Sequence, residues 1–455
     1  MSFRKEIRLF DAVMLVAGTM IGSGIFIVSA GIAQKVQSVS LLLLVWLVTG
    51  LITMTGALSY GELAAMMPQA GGQFVFLRKT YNKLVAFLYG WTVLGVIQTG
   101  TIAAVAVAFS NAFGELVPLF HKTNIVFELG KFKVGSNQLL AIGIIWLLSF
   151  INSKGVRYGT LIQNWFGSTK MIALFVLLIV IFIFGRNPEA IAQNFGKYWS
   201  MPENISWTAM MPIFAVAMVG SLFSSDAWNN ISFAGDEIVN PEKTIPRSLA
   251  LGTGLVTVIY LLTNIGYLVA LPLPEIQKAE LVATTSISSV FGSVGLILMS
   301  VLIMVSTFSS DNGCILSGAR VYYAMAKDGI FFSALGKLNK NDVPQNALYV
   351  QAAWASVLCL SGAYGDLLDY VMFAVMLFYF LTILAIFILR KKMPDAPRPY
   401  KALLYPYLPA LYLILVTVIS IIWLVEIPYT RYGFLIILSG VPVYFLFKSK
   451  EETSV

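Results

Sequence analysis

The chain has 455 residues, of which 58% are hydrophobic and only 11% are charged, and its formal net charge is +8 at pH 7. Soluble proteins carry about 25% charged residues, so this composition excludes a soluble globular fold and indicates a protein that crosses a membrane several times. No cleavable signal peptide is predicted, because the apolar run after the charged N-terminus is too long for a signal sequence.

Side chains that bind metals or act as catalysts are scarce. The two cysteines, Cys314 and Cys359, both lie in apolar segments, where we expect small buried side chains rather than a disulfide. The one histidine, His121, lies in a polar loop. With no His pair and no Cys cluster, the sequence predicts no metal, no cofactor and no membrane enzyme.

Apolar segments of membrane-spanning length indicate an all-α polytopic membrane protein with about twelve helices. The predicted spans are 12–33, 40–66, 84–113, 138–152, 158–184, 207–235, 248–271, 290–323, 347–364, 367–389, 403–425 and 432–447. The fourth and ninth are short, so we expect them to extend into flanking polar residues. Residues 272–289 are assigned to an extracytoplasmic loop with a short helix.

The distribution of basic residues predicts the orientation. With the N-terminus in the cytoplasm, 21 of the 30 Lys and Arg residues lie on the cytoplasmic side and 8 on the other, while Lys170 falls inside a span. The positive-inside rule then places both termini in the cytoplasm, and we expect a multi-pass protein of the plasma (inner) membrane. Because the membrane topology accounts for the net positive charge, this charge does not indicate binding of nucleic acid.

Two of the predicted spans are interrupted by small and polar residues. The first contains Gly18-Thr19-Met20-Ile21-Gly22-Ser23-Gly24, and the sixth contains Ser221-Leu222-Phe223-Ser224-Ser225-Asp226-Ala227-Trp228-Asn229-Asn230. Unwound backbone is tolerated at membrane depth only where it lines a cavity or is buried in protein. Paired interruptions indicate a transporter with its site between two repeats.

The spacing of the interruptions predicts inverted repeats of five helices each within a single membrane domain. Repeat one would cover about 10–185, repeat two about 205–392, and additional helices about 403–447. No residue-level identity between the halves supports this division, which rests on topology alone.

The two breaks offer complementary chemistry. The first helix is predicted to stop near Met20 and to restart near Ser23 or Gly24, so that free N–H groups and the Ser23 hydroxyl face a cavity and attract a carboxylate. The sixth helix is predicted to stop near Phe223, where its carbonyls, with that of Met20, accept from an ammonium. Together these groups describe an α-amino acid. Close helix packing, for which Gly18 and Gly22 have suitable spacing, is the competing explanation of the glycines.

Several motifs resemble those of the amino acid–polyamine–organocation superfamily, within it the L-type amino acid transporter-like branch. The resemblance covers essentially the whole chain, and its stretches are 18–26, Ser59-Tyr60-Gly61-Glu62-Leu63-Ala64, Pro68-Gln69-Ala70-Gly71-Gly72, 237–246, Ala324-Met325-Ala326-Lys327-Asp328-Gly329 and Arg398-Pro399-Tyr400-Lys401. It implies a LeuT-type five-plus-five fold with helices 1 and 6 discontinuous, alternating access and an amino acid substrate.

The resemblance also assigns residues to roles. It implies that Ser23 and Gly24, next to Gly22, contact the substrate carboxylate, and that the carbonyls of Met20, Phe223 and Asp226 contact its ammonium. The Phe223 ring is the expected gate.

The same resemblance implies that Lys170 replaces the sodium ion that coupled relatives hold between the first and eighth helices. The competing explanation is a lysine near a helix end that extends to water.

Two acidic side chains within spans depart from the common pattern of these relatives. Asp311 lies in the helix expected to face Lys170, so both an ion pair and a protonated, neutral carboxyl are open; with Ser309, these residues are assigned to cation replacement or coupling. Asp226 is expected to cap the helix break, and attraction of a cationic substrate is its alternative role. Glu62, Asp236 and Glu237 are expected in networks on the cytoplasmic side.

The sequence therefore predicts a sodium-independent transporter, an exchanger of neutral L-amino acids, with a proton-coupled amino acid symporter as the alternative. A channel would need a continuous polar stripe, which these spans lack. The loop between helices three and four, about 114–137, contains no cysteine. Some animal relatives bind a glycoprotein through a disulfide from that loop, so no disulfide-linked accessory subunit is expected here.

Overall fold

A computed structural model describes residues 5–130, 132–196, 205–360, 364–428 and 430–452. The basic residues Arg4, Lys131 and Lys197, counted above, lie outside these ranges. Within them the chain is a bundle of helices, as expected where lipid leaves no partner for unpaired backbone groups.

Ten helices of the described ranges are long and apolar enough to cross a membrane, two of them with an internal interruption. They are α1 and α2 (Leu9–Met20, Gly24–Val36), α3 (Val39–Met66), α5 and α6 (Lys83–Thr92, Gln98–Leu116), α7 (Ser136–Ser153), α8 (Val156–Phe184), α10 (Trp207–Ser224), α12 (Pro241–Ala270), α15 (Ser293–Lys327), α17 (Tyr364–Lys392) and α18 (Tyr407–Glu426).

The ninth and twelfth predicted spans coincide with helices that fall short of this length or hydropathy. They are α16 (Gln345–Leu360) and α19 (Thr430–Glu452), in which only Gly433–Leu446 is apolar. The sixth predicted span is shorter than expected, because α10 ends at Ser224 and only the short helix α11 (Asn230–Phe233) follows.

The connections contain more regular structure than the sequence predicts. The expected short helix in 272–289 is present as two, α13 (Leu273–Lys278) and α14 (Val282–Phe291), and the helices α4 (Gln73–Thr80) and α9 (Pro188–Gly196) were not expected. Short 3₁₀ turns occur at Pro118–Phe120, Gly235–Glu237 and Ser333–Gly336, and one π-helical turn at Val93–Ile97 joins α5 to α6.

The loop after α6 forms an antiparallel hairpin of β1 (Ile125–Leu129) and β2 (Phe132–Gly135), which the sequence did not predict. Lys122, just before the hairpin, donates to Glu280 between α13 and α14 at 2.9 Å, and this hydrogen bond lowers the pKa of the Glu280 carboxyl. The two connections are thereby joined at one end of the bundle.

The interrupted first helix lies at the centre of the bundle. In its most apolar stretch 83% of the residues are buried, against 28% for α18. α1 packs against α8, α12 and α15, and α2 packs against α10. The interruption of the first helix is therefore enclosed by protein, which is what unwound backbone at membrane depth requires.

Candidate functional site

The first helix is interrupted where the sequence predicts. α1 ends at Met20 and α2 begins at Gly24, while the Gly22 N–H turns back to the Met20 carbonyl at 2.9 Å. Among the described residues, the N–H groups of Gly24 and Ile25 at the start of α2 have no hydrogen-bond partner. Ser23 is 1% exposed. The restart of the helix is thus an enclosed point with donors suited to an anion.

The glycines of this break are explained by space rather than by unusual backbone angles, because neither Gly18 nor Gly24 has a positive φ. A Cβ at Gly24 would lie 2.7 Å from the Cβ and 3.1 Å from the Cα of Ser224, at the end of α10. A Cβ at Gly18 would lie 3.3 Å from Cδ of Gln163. Close helix packing therefore accounts for these glycines at least in part, in addition to the break.

The sixth helix is interrupted beside the first. α10 ends at Ser224, and the Asp226 N–H donates to the Phe223 carbonyl at 3.2 Å. Ala227 has a φ of +66°, a conformation that is strained for a residue other than glycine. Phe223 is 8% exposed, so it is buried within the bundle.

Tyr260 of α12 joins the two breaks, and sequence reasoning missed it. Its hydroxyl Oη lies 3.0 Å from the Met20 carbonyl and 2.9 Å from the Ser224 carbonyl. The Met20 carbonyl thus accepts from the Gly22 N–H and shares the single proton of the Tyr260 hydroxyl with the Ser224 carbonyl. A substrate ammonium at Met20 would have to share this oxygen or displace Tyr260. No sequence pattern marks this tyrosine as functional, because it lies two-thirds of the way along an apolar helix.

Lys170 of α8 is completely buried against the first break. Its Nζ donates to the carbonyls of Gly18 at 2.5 Å, Ile21 at 2.7 Å and Ser306 at 3.3 Å. Gly18 and Ile21 flank the end of α1, and Ser306 lies on α15, the eighth span. The three donors of an ammonium are matched by three acceptors, so the explanation of a lysine extending to water is wrong.

Ser309 and Asp311 both lie on α15, the helix that also contributes the Ser306 carbonyl to Lys170. Ser309 lies at the contact of α15 with α1 and α8, close to Gly18 and Gly167, and its hydroxyl is buried without a hydrogen-bond partner among the described residues. The neighbouring Ser306 and Ser310 hydroxyls donate to carbonyls of the first break, Ser306 to Ile21 at 3.0 Å and Ser310 to Thr19 at 2.6 Å.

The possible ion pair between Asp311 and Lys170 is not formed. The Asp311 carboxylate is 1% exposed, and neither of its oxygens has a hydrogen-bond partner among the described residues. One helix carries both residues 306 and 311, but the 100° turn per residue directs them to different neighbours.

Asp226 accepts a hydrogen bond from the Tyr379 hydroxyl of α17 at 2.6 Å. Asp226 does not cap α11, whose N-terminal position is occupied by Asn229 with no side-chain cap, but its carboxylate also accepts from the Ala227 N–H within the break. The carboxylate instead joins the sixth-helix break to α17. Tyr379 also stacks on Trp228 with 4.8 Å between ring centroids.

A small cavity of about 20 Å³, enough for about one water molecule, lies beside the sixth-helix break. Of the residues assigned above to substrate or cation, only Asp226 lines it, with polar side chains of α4, α6 and α11 and with Val93 and Ile97 of the π-helical turn. π-Helical turns within α-helices are frequent at functional sites.

Charged residues form two networks at the end of the bundle where α3, α15 and α17 end. Glu62 binds Arg390 at 2.6 Å and Arg398 at 3.4 Å, and the fully buried Glu237 binds Arg320 at 2.8 Å. Glu62 and Glu237 therefore each belong to a charged network, whereas Asp236 is exposed. Ile7 pairs with Glu237 and Val239, so the chain before α1 is joined to the segment after α11.

Comparison with known proteins agrees with the motifs. A family model described as amino acid permease matches residues 7–447. The chain belongs to this amino acid permease family. The resemblance to the L-type amino acid transporter-like branch is confirmed by relatives that align with 98% of this permease.

Three relatives from Mus musculus illustrate the similarity. "Large neutral amino acids transporter small subunit 2" is 32% identical over 450 residues, which are 81% of its length. "Asc-type amino acid transporter 1" is 30% identical over 81% of its length, and "b(0,+)-type amino acid transporter 1" is 29% identical over 88% of its length. All three are transporters by name, and with the ten long apolar helices they establish this permease as a multi-pass membrane protein.

Proposed function

We propose that this permease is a sodium-independent exchanger of neutral L-amino acids that works by alternating access. The observation that carries the proposal is the Lys170 ammonium, which binds the carbonyls of Gly18, Ile21 and Ser306 at the first break. A fixed cation there removes the need for a mobile one. The neutral substrate class follows the name of the relative called a large neutral amino acids transporter.

The proposed architecture is a LeuT-type fold with twelve membrane helices. Repeat one covers about 10–185, repeat two about 205–392, and additional helices about 403–447. The interruptions after Met20 and Ser224 support this division, because each lies in the first helix of its proposed repeat. The excess of basic residues at one end supports cytoplasmic termini in the plasma membrane.

The proposed substrate site lies between the two breaks. The Ser23 hydroxyl and the N–H of Gly24, next to Gly22, bind the carboxylate, while the carbonyls of Phe223 and Asp226 bind the ammonium. The Met20 carbonyl also binds the ammonium when the Tyr260 hydroxyl moves away from it. Phe223 acts as the gate, and its burial next to the end of α10 is consistent with this role.

An amino alcohol is expected not to compete for this site. Alaninol keeps the ammonium and side chain of alanine but lacks the carboxylate, so it leaves the N–H groups at the start of α2 unpaired. In uptake by proteoliposomes, we expect alaninol to inhibit at least about tenfold less strongly than alanine. Equal inhibition by the two compounds would contradict the carboxylate assignment.

Exchange is tested by loading proteoliposomes of the purified chain with amino acid. The freed backbone groups of the breaks need partners before an empty site can close, so the empty carrier should reorient slowly. We expect uptake at least about tenfold faster into loaded than into empty vesicles. Full-rate uptake into empty vesicles that requires an acid-outside gradient would favour proton-coupled symport instead.

We also propose that this permease works without a disulfide-linked partner. One relative is named a small subunit, but the two cysteines of this chain, Cys314 and Cys359, are both buried. The proteoliposome experiment uses the purified chain alone, so activity there supports a stand-alone carrier. A heavier adduct on a non-reducing gel that collapses with reductant would argue against it.

A further inference from the structure

A polar cavity of about 280 Å³ lies at the end of the bundle where the described chain begins. Its lining includes two cations, Lys154 and Arg157, and two carboxylates, Glu6 and Asp342, together with Tyr158 and Asn341. None of these residues belongs to the proposed substrate site. We propose that this cavity binds the headgroup of phosphatidylethanolamine, with the phosphate on Lys154 and Arg157 and the ammonium on Glu6.

The cavity lies at the level where two membrane helices leave the apolar layer. α7 ends at Ser153 and α8 begins at Val156, so Lys154 occupies the short turn between them. Both helices are long and apolar enough to cross a membrane. Basic pockets between membrane helices at this level are typical sites for phospholipid headgroups.

Each of the two cations lies at the start of a stripe of exposed apolar side chains. On α7 the Lys154 ammonium lies 4.3 Å from the ring centre of Phe150, which is exposed. On α8 the stripe that starts at Arg157 continues through the exposed Leu161 and Trp165. Because residues four apart share a helix face, acyl chains can follow these stripes while the headgroup stays in the cavity.

The charged groups of the cavity are available to a ligand. Among the described residues Lys154, Arg157 and Glu6 have no ion pair, although all three line the same cavity. The backbone of Glu6 is held in place, because its N–H donates to the Glu237 carbonyl at 2.9 Å. The Glu6 carboxylate is thus presented by a segment that is attached to the bundle.

The balance of charge selects the headgroup. Two cations and two carboxylates in the lining suit a zwitterion better than an anion. The primary ammonium of phosphatidylethanolamine offers N–H donors to a carboxylate, whereas the choline group of phosphatidylcholine has none. Phosphatidylglycerol would pair with the cations but brings no positive charge to the carboxylates.

Thermal unfolding of the purified protein in detergent tests the site with three lipids that carry the same acyl chains. We expect phosphatidylethanolamine to raise the unfolding temperature by about 1–2 °C more than phosphatidylcholine or phosphatidylglycerol does, because a ligand stabilises the state that binds it. Soluble phosphoethanolamine at the same concentration should have no such effect, since it lacks the acyl chains.

Variants assign the effect to residues. Glu6→Gln should remove the preference for phosphatidylethanolamine over phosphatidylglycerol, and Lys154→Ala combined with Arg157→Ala should abolish the shift. Lys337→Ala changes an exposed lysine outside the lining and should keep the full shift.

Three results would overturn the proposal: equal shifts with the three lipids, an unchanged preference in Glu6→Gln, or the full shift with soluble phosphoethanolamine. The measurement does not depend on transport, so its failure leaves the proposed function untouched.

Discussion

Replacement of Lys170 by alanine is expected to reduce amino acid uptake at least about tenfold while the purified protein remains folded. The change removes the Lys170 donor from the carbonyls of Gly18, Ile21 and Ser306, although the Ser306 hydroxyl still donates to Ile21. An unpaired buried acceptor costs about 1–3 kcal/mol, and about 1.4 kcal/mol corresponds to a factor of ten. Uptake into loaded proteoliposomes, normalised to the monodisperse protein recovered, measures the effect.

Two control variants separate the ammonium from the volume of the side chain. Lys170→Met keeps the length but removes the donors, so it should lose as much activity as Lys170→Ala. Lys35→Ala changes an exposed lysine of α2 and should retain full uptake. Activity of Lys170→Met equal to that of the unaltered protein would show that only packing matters at this position.

The same lysine predicts indifference to sodium. Uptake should be equal when sodium is replaced by potassium or choline at constant ionic strength, because the position between α1 and α15 is already filled by a fixed cation. Uptake that rises with sodium would contradict the role assigned to Lys170.

Gly24→Ala is expected to destabilise the contact between the two breaks and to reduce uptake at least about tenfold. The added Cβ meets the Cβ of Ser224 at 2.7 Å and its backbone Cα at 3.1 Å, so α2 and α10 must move apart. Overpacking of this kind costs about 1–3 kcal/mol. Thermal unfolding in detergent and uptake into proteoliposomes give the two readouts.

Gly31 on the same helix supplies the matched control. A Cβ there meets nothing within 4 Å, so Gly31→Ala should leave uptake unchanged and the unfolding temperature equal or higher. Adding Ser224→Gly to Gly24→Ala removes the Cβ contact and should recover part of the loss. Equal behaviour of Gly24→Ala and Gly31→Ala would contradict the close approach of the two helices as a functional requirement.

The sequence determined where the two broken helices stop. Met20, Gly24 and Ser224 bound the interruptions within a few residues of the predicted positions, because polar and small residues inside an apolar run have a large local cost in lipid. Ten of the twelve predicted spans followed from the same property. Family membership followed from motifs that are contiguous in the chain, and the comparisons confirmed it.

The predicted helix boundaries that were wrong lie where hydropathy does not distinguish a helix from irregular chain. The sixth span was predicted to reach residue 235, but the chain turns irregular after Ser224 and forms only one short helix beyond it. The hairpin after α6 and the π-helical turn at Val93–Ile97 also escaped prediction. Their hydrogen bonds join residues whose local pattern resembles that of ordinary loop or helix.

Only the tertiary structure decided which side chains meet. It brought Lys170 to Ile21 across 149 residues of sequence and Tyr260 to Met20 across 240, and it left the Asp311 carboxyl buried without a hydrogen-bond partner among the described residues. Composition and hydropathy show whether a segment needs an apolar or a polar environment. The rotation of each helix, which directs one face to a given neighbour, depends on packing between elements far apart in the chain.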